Sequence, residues 1–364
     1  MTRSPGAEHV PGRFPFVPAF DGVRGVAVLL VVEFHLRRVA PGLVGSIPRG
    51  GSLGVDIFFV LSGFLITALL LTEQSGTGRI GFGGFYRRRA LRLLPALAVF
   101  LVAQIAFSVL AGIPGRLERD SVLAVVFYAA NWKIVLADSF PPIADGLAQT
   151  WSLAVEEQFY LVWPLAVLAF AGLRFRLGVV VTVLGATVAA IAVARAVLVQ
   201  DTPPGLLYFR TDMRADALIV GAMAAHLWLR ARPSPRLLAA LAWPALVFVA
   251  GCVLFASFNS RFLFLGGYTV LAVAVAVVLL AVVGGAWGPT ALLEHPALRA
   301  VGRVAYGLYL WHYLVFVAVE RWLGDWPVTS RLAVALVVTV AATYGSWRFV
   351  EQPFLRRKRR LAAV

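Results

Sequence analysis

The sequence predicts an all-α, polytopic membrane protein: about ten transmembrane helices plus a re-entrant or interfacial helix near 121–136. Three observations predict it. Of the 364 residues, 60% are apolar and only 14% charged, against about 45–50% and about 25% in soluble domains. The mean hydropathy is +0.84. Uncharged runs of the ~18 residues needed to cross a bilayer recur along the whole chain. The hydrophobicity excludes a disordered chain, and the single cysteine, Cys252, excludes a disulfide-stapled secreted domain. A lone thiol also argues against a cysteine-ligated zinc or iron–sulfur centre, and no metal is expected.

In chain order the apolar segments fall at 20–40, 53–73, Leu93–Ala111, 151–172 and Leu177–Ala194. They continue at 213–231, Leu237–Ser260, Phe262–Leu293, 304–322 and 331–350. The stretch Ser121–Leu136 is short and ends in Asn131, Trp132 and Lys133, so it reads as re-entrant or interfacial. The expected organisation is an N-terminal segment over 1–19, a transmembrane domain over 20–354 and a basic tail over 355–364. Residues 1–19 are rich in proline and glycine and contain no apolar core of a signal peptide. The first helix is therefore expected to be an uncleaved anchor.

The charge is +15, from 33 basic and 18 acidic residues, and only Lys133 and Lys358 among the basic residues are lysines. So much arginine is read either as topology signal or as phosphate recognition, because guanidinium forks match phosphate oxygens. Nucleic acid is not an expected partner, since the charge is dispersed between apolar runs. With ten spans, the loops on the side of the termini hold 20 Lys and Arg and the opposite loops hold 10. The positive-inside rule then makes both termini cytoplasmic in a multi-pass cell-membrane protein. An eleventh span would separate the arginine-rich 79–92 loop from the Arg356–Arg360 run, which reads as a stop and a contact for anionic lipid.

Ionisable residues within spans are costly and tend to be functional or paired. Arg24 and His35 are eleven residues apart, three helical turns, so they share a face about 16 Å apart along the axis. His35 reads either as a core histidine or as a functional one, and the aligned arginine favours the second. Glu33 points elsewhere. Arg89 and Arg92 are i,i+3 neighbours on one face, fit for a phosphate or for a topology signal. Ser152, Glu156, Tyr160 and Trp163 make a polar-aromatic stripe on one helix face, with Glu156 expected in a polar cavity and Glu157 facing differently. Arg195 and Arg214 also lie within spans, and Asp212 and Asp216 share a face. Tyr306, Tyr309 and Tyr313, with His312 beside them, read as an interfacial aromatic belt. Ser62 lacks an acid–base signature and reads as a helix-packing residue. No His-Glu-x-x-His zinc motif or Gly-x-Ser-x-Gly elbow occurs, and Gly50–Gly54 lacks the lysine of a phosphate loop.

Seven strings, in order from about residue 18 to 355, resemble those of the acyltransferase 3 family of integral-membrane O-acyltransferases. They are the Phe20–Val28 run leading to His35, then Gly54–Ile66, Phe85–Arg92 and Trp151–Tyr160. Asp212–Leu218, Tyr306–His312 and Glu351–Phe354 complete the set. Ala305 departs from the serine that relatives often have there. The resemblance implies a ten-helix enzyme moving an acyl group, often acetyl, from cytoplasmic acyl-CoA to a hydroxyl of a sugar or secondary metabolite. It makes Arg24 and His35 the Arg-x10-His pair and Arg89 and Arg92 the Arg-x-x-Arg pair. Some relatives add an extracytoplasmic esterase-like domain. This sequence ends at Val364, so an extracytoplasmic second step is expected to need another protein.

On this reading His35 acts as general base toward the acceptor hydroxyl, or passes through an acyl-histidine. Glu156 is the second catalytic candidate, orienting His35 or the acceptor. Arg24, Arg89 and Arg92 bind the acyl donor, with acetyl-CoA the expected one. The expected acceptor is a glycan, a glycolipid or a glycosylated metabolite such as a macrolide, with membrane lipid as the surrounding partner. The alternative is a proton-coupled transporter or a lipid or glycan flippase, which intramembrane Arg, His and Asp would also suit. No inverted repeat between the halves supports it.

Overall fold

A computed structural model describes residues 14–42, 49–137 and 142–361, without the side chains of 358–361. The expected N-terminal segment therefore lies largely outside the described residues, as do Arg3, Arg13 and the last three residues of the tail. No strand occurs among the described residues. The chain runs through α1 (Pro18–Leu36), α2 (Gly54–Thr77), α3 (Phe82–Ala111), α4 (Gly115–Val126) and α5 (Ala130–Val135). It continues with α6 (Trp151–Gly172), α7 (Leu177–Leu198), α8 (Pro204–Phe209), α9 (Thr211–Ala231) and α10 (Pro235–Phe255). The last third comprises α11 (Tyr268–Gly284), α12 (Thr290–Leu293), α13 (Pro296–Arg303), α14 (Ala305–Leu323), α15 (Val328–Gly345) and α16 (Gln352–Leu361).

Seven helices among the described residues, built on α2, α3, α6, α7, α10, α11 and α15, are long and apolar enough to cross a membrane. The remaining three expected segments are the helices α1, α9 and α14. They carry the charged and polar residues that lower their hydropathy, and they lie inward. The apolar window of α2 is 78% buried, whereas those of α7, α10 and α15 are only 17% buried. The outer helices turn valine, leucine and phenylalanine, such as Val247, Phe255 and Val337, to the surroundings, as lipid-facing helices do.

At the centre α2 lies directly against α9. A Cβ on Gly63 would overlap the Leu218 carbonyl, and one on Gly221 would overlap that of Val60. Small residues let two membrane helices touch backbone to backbone. The same region holds two buried ion pairs. Arg214 donates to Asp56 at 2.6 Å and Arg195 to Asp216 at 2.9 Å, with Thr269 also donating to Asp216 at 2.6 Å. These pairs tie α2, α7, α9 and α11 together and account for Arg195 and Arg214 within their spans. Asp212, by contrast, pairs with Arg210 near the surface.

The helix expected over 121–136 is corrected to two short ones, α4 and α5, broken at Tyr128, which has φ 52°. Side chains compensate the break. Gln158 of α6 donates to the Tyr128 carbonyl at 2.7 Å and to Asn131 Oδ1 at 3.0 Å, and Asn131 donates to the Phe209 carbonyl and to Thr211.

Candidate active site

The stripe on α6 organises the interior. At its N-terminal end the hydroxyls of Ser152 and Tyr309 lie 2.5 Å apart, and Tyr309 donates to the Gln149 carbonyl at 2.9 Å. One turn on, Glu156 accepts hydrogen bonds from Ser62 of α2 and, at 2.9 Å, from Tyr160. The Tyr160 ring in turn lies under the Arg89 guanidinium, 3.4 Å from its carbon to the centroid. Trp163 closes the stripe by donating to Thr67 at 2.7 Å. From Ser152 to Tyr160 the polar track runs about 12 Å along the helix. Pro164 has no N–H to give to the Tyr160 carbonyl. The Tyr86 hydroxyl reaches that carbonyl at 3.5 Å and the Leu161 carbonyl at 3.0 Å, which fixes the start of α3 beside the track.

Three arginines gather at the Tyr160 end. Arg89 forms an ion pair with Glu157, so Glu157 is the partner that its different facing provides. Arg24 donates to Asp21 at 2.8 Å. Arg92 is exposed and forms no hydrogen bond or close ion pair among the described residues, yet it lies within electrostatic reach of Arg24, Glu157 and Glu351. The chain thus brings Arg89 onto the Tyr160 ring and Arg24 within electrostatic reach of both Tyr160 and Arg92.

His35 lies toward the other end, where the ring of Tyr309, the partner of Ser152, stands 5.8 Å from that of His312. The Nδ1 of His35 is 2.9 Å from Nε2 of His312, and its ring stands 4.8 Å from that of Tyr313. His312 is fully buried, its Nδ1 2.8 Å from the Leu308 carbonyl oxygen, while His35 is partly accessible. Above the pair, Arg38 donates to Glu320 at 2.5 Å, to the Tyr313 hydroxyl at 2.9 Å and to Asp145 at 3.3 Å.

Three sequence readings change. Glu156 bonds Ser62 and Tyr160 and makes no hydrogen bond with His35 among the described residues, so the side chain hydrogen-bonded to His35 is His312. Ser62 is a hydrogen-bond partner of Glu156, and its neighbour Gly63 does the close packing. Tyr306, Tyr309 and Tyr313 are not an interfacial belt. Their hydroxyls bond the Leu93 carbonyl, the Gln149 carbonyl and Arg38 inside the protein. His312 was visible in sequence as a histidine beside a tyrosine stripe and as the end of the Tyr306–His312 string, but with no role, because the contact that gives it meaning spans 277 residues.

Fold and site together define a multi-pass membrane protein whose interior polar track joins an arginine-lined end to a pair of histidines. The profile of the acyltransferase domain family matches residues 17–350, and the chain belongs to that family. It is 32% identical over 357 residues to the peptidoglycan O-acetyltransferase of Listeria monocytogenes, covering 93% of this chain and 56% of that protein. A candidate peptidoglycan O-acetyltransferase of Bacillus subtilis is 33% identical over 365 residues, 95% of this chain and 56% of its own length. A candidate O-acetyltransferase of Staphylococcus aureus is 30% identical over 360 residues, with coverages of 93% and 57%. The chain thus spans little more than half the length of these curated relatives. No solved structure matches it.

Proposed function

We propose that this protein is a membrane O-acyltransferase that moves an acetyl group from acetyl-CoA to a hydroxyl of a cell-envelope glycan. The polar track of α6 carries the reading, because it joins the two things such a reaction needs, an anion-binding end and a base, by a polar path through an apolar interior. Family membership favours group transfer over the carrier reading. The relatives named for peptidoglycan favour a glycan acceptor over a macrolide or glycolipid.

In this mechanism the donor's phosphates sit among Arg92, Arg24 and Arg89, on the cytoplasmic side given by the Lys and Arg bias of ten spans. The thioester extends along the track past Tyr160 and Glu156 toward His35. His35 takes the proton of the acceptor hydroxyl as its oxygen attacks the thioester carbonyl. The tetrahedral intermediate collapses, the C–S bond breaks, and the proton passes to the leaving thiolate, giving ester and free CoA. Glu156 positions the reacting groups through Ser62 and Tyr160.

The test is detergent-purified protein incubated with radiolabelled acetyl-CoA and a soluble glycan acceptor. Labelled ester formed without a sealed membrane supports the reading. Label moved across a proteoliposome membrane with no covalent product overturns it in favour of a carrier.

A further inference from the structure

The two histidines are joined in a way that fixes where their protons sit. A backbone carbonyl only accepts, so His312 Nδ1, 2.8 Å from the Leu308 oxygen, carries a hydrogen. Neither imidazole has a carboxylate within hydrogen-bond or ion-pair distance among the described residues. The nearby Arg38 is positive and already engaged by Glu320 and Asp145. A cationic His312, fully buried, would lack a counter-ion, so the ring is neutral and its Nε2 carries a lone pair. That lone pair faces His35 Nδ1 at 2.9 Å, and Nδ1 must therefore hold the His35 hydrogen.

We propose that His312 is the positioning residue of the reaction: by accepting from His35 Nδ1–H it holds His35 in the tautomer whose Nε2 lone pair is free for the substrate. The inference rests on the proposed acyl transfer and adds to it a residue that substrate need not touch. The chain Leu308 carbonyl, His312, His35 has one direction, each hydrogen pointing from His35 toward the backbone. Unconstrained imidazole favours the opposite tautomer, with the hydrogen on Nε2, in which the base would be blocked. When Nε2 takes the acceptor's proton, His35 becomes a cation whose Nδ1–H still points at the His312 lone pair. The neutral partner thus stabilises the charge at the moment it forms. The same free Nε2 serves whether His35 acts as base or carries the acetyl group.

The test uses the full chain, labelled with 15N-histidine and held in detergent or nanodiscs. Its five histidines are few enough that the His35 signals can be assigned by their loss in His35→Gln. The expected spectrum shows His35 protonated at Nδ1 and bare at Nε2. In His312→Leu the hydrogen moves to Nε2, and kcat falls about 10²- to 10⁴-fold with donor KM within about twofold. In His312→Gln the side-chain oxygen stands where Nε2 stood. It restores the Nδ1–H form and returns kcat to within about tenfold of the original. A wild-type His35 protonated at Nε2 overturns the inference, as does an unchanged tautomer in His312→Leu. A folded His312→Gln as inactive as the leucine variant also overturns it. If His35→Ala keeps full transfer, the proposed role of His35 fails instead, and the spectra still judge what His312 does.

Discussion

Arg89 is ion-paired with Glu157, whereas Arg92, three residues further along the same helix, has no such partner among the described residues and is exposed, within electrostatic reach of Arg24. The two arginines of one motif are therefore not equivalent. Arg92 is free to meet a phosphate without first giving up a carboxylate, and Arg89 must exchange one anion for another.

Arg92→Gln should accordingly raise the apparent KM for acetyl-CoA about 10- to 150-fold, the loss of one charge-assisted contact of about 1.5–3 kcal/mol, with acceptor KM little changed. Arg89→Gln should raise it less while lowering thermal stability, because it strands the Glu157 carboxylate. Arg87, exposed on α3, is the control and its glutamine variant should bind donor normally. Titration with acetyl-CoA at increasing salt checks both points, since an exposed Arg92 contact weakens with ionic strength. Equal donor KM in Arg92→Gln and wild type would leave the motif as a topology signal.

Glu156→Ala should lower kcat about 10- to 100-fold by removing the acceptor shared by Ser62 and Tyr160 at the middle of the track. Ser62→Ala, which leaves the Tyr160 bond in place, should cost less. Single-turnover rates with saturating donor separate the two. Wild-type turnover in a folded Glu156→Ala protein would remove the carboxylate from the mechanism.

Asp216→Ala should destabilise the protein by about 3–5 kcal/mol, because it leaves Arg195, at 0% exposure, without its ion pair between α7 and α9. Asp212→Ala removes a pair that is 30% and 46% exposed and should cost about 1 kcal/mol or less. Thermal unfolding of the two variants in one detergent compares them directly. Equal stability would mean that the buried pair contributes nothing beyond the surface one.

What could be read from the sequence was what repeats locally along a helix. The Arg24–His35 register and the Ser152–Glu156–Tyr160–Trp163 stripe are periodicities of single helices, and both survive as faces of α1 and α6. The partners that give them chemistry were not legible. Ser62 and Glu156 are 94 residues apart, Arg89 and Glu157 are 68, and His35 and His312 are 277. No spacing rule links residues on different helices. The tyrosines of α14 misled for a related reason, since an amphipathic tip suits a lipid interface and a polar interior equally well. The break at Tyr128 carried no glycine or proline to announce it, and is held instead by Gln158 from another helix.

The most direct test of the whole account is transfer of radiolabelled acetyl from acetyl-CoA to a glycan acceptor by purified wild-type and His35→Ala proteins. Both should be matched for expression, monodispersity and donor binding. The account predicts labelled ester from the wild type and a rate at least about 10²-fold lower from His35→Ala, with donor affinity retained. Transfer at the wild-type rate by a folded His35→Ala protein would contradict it.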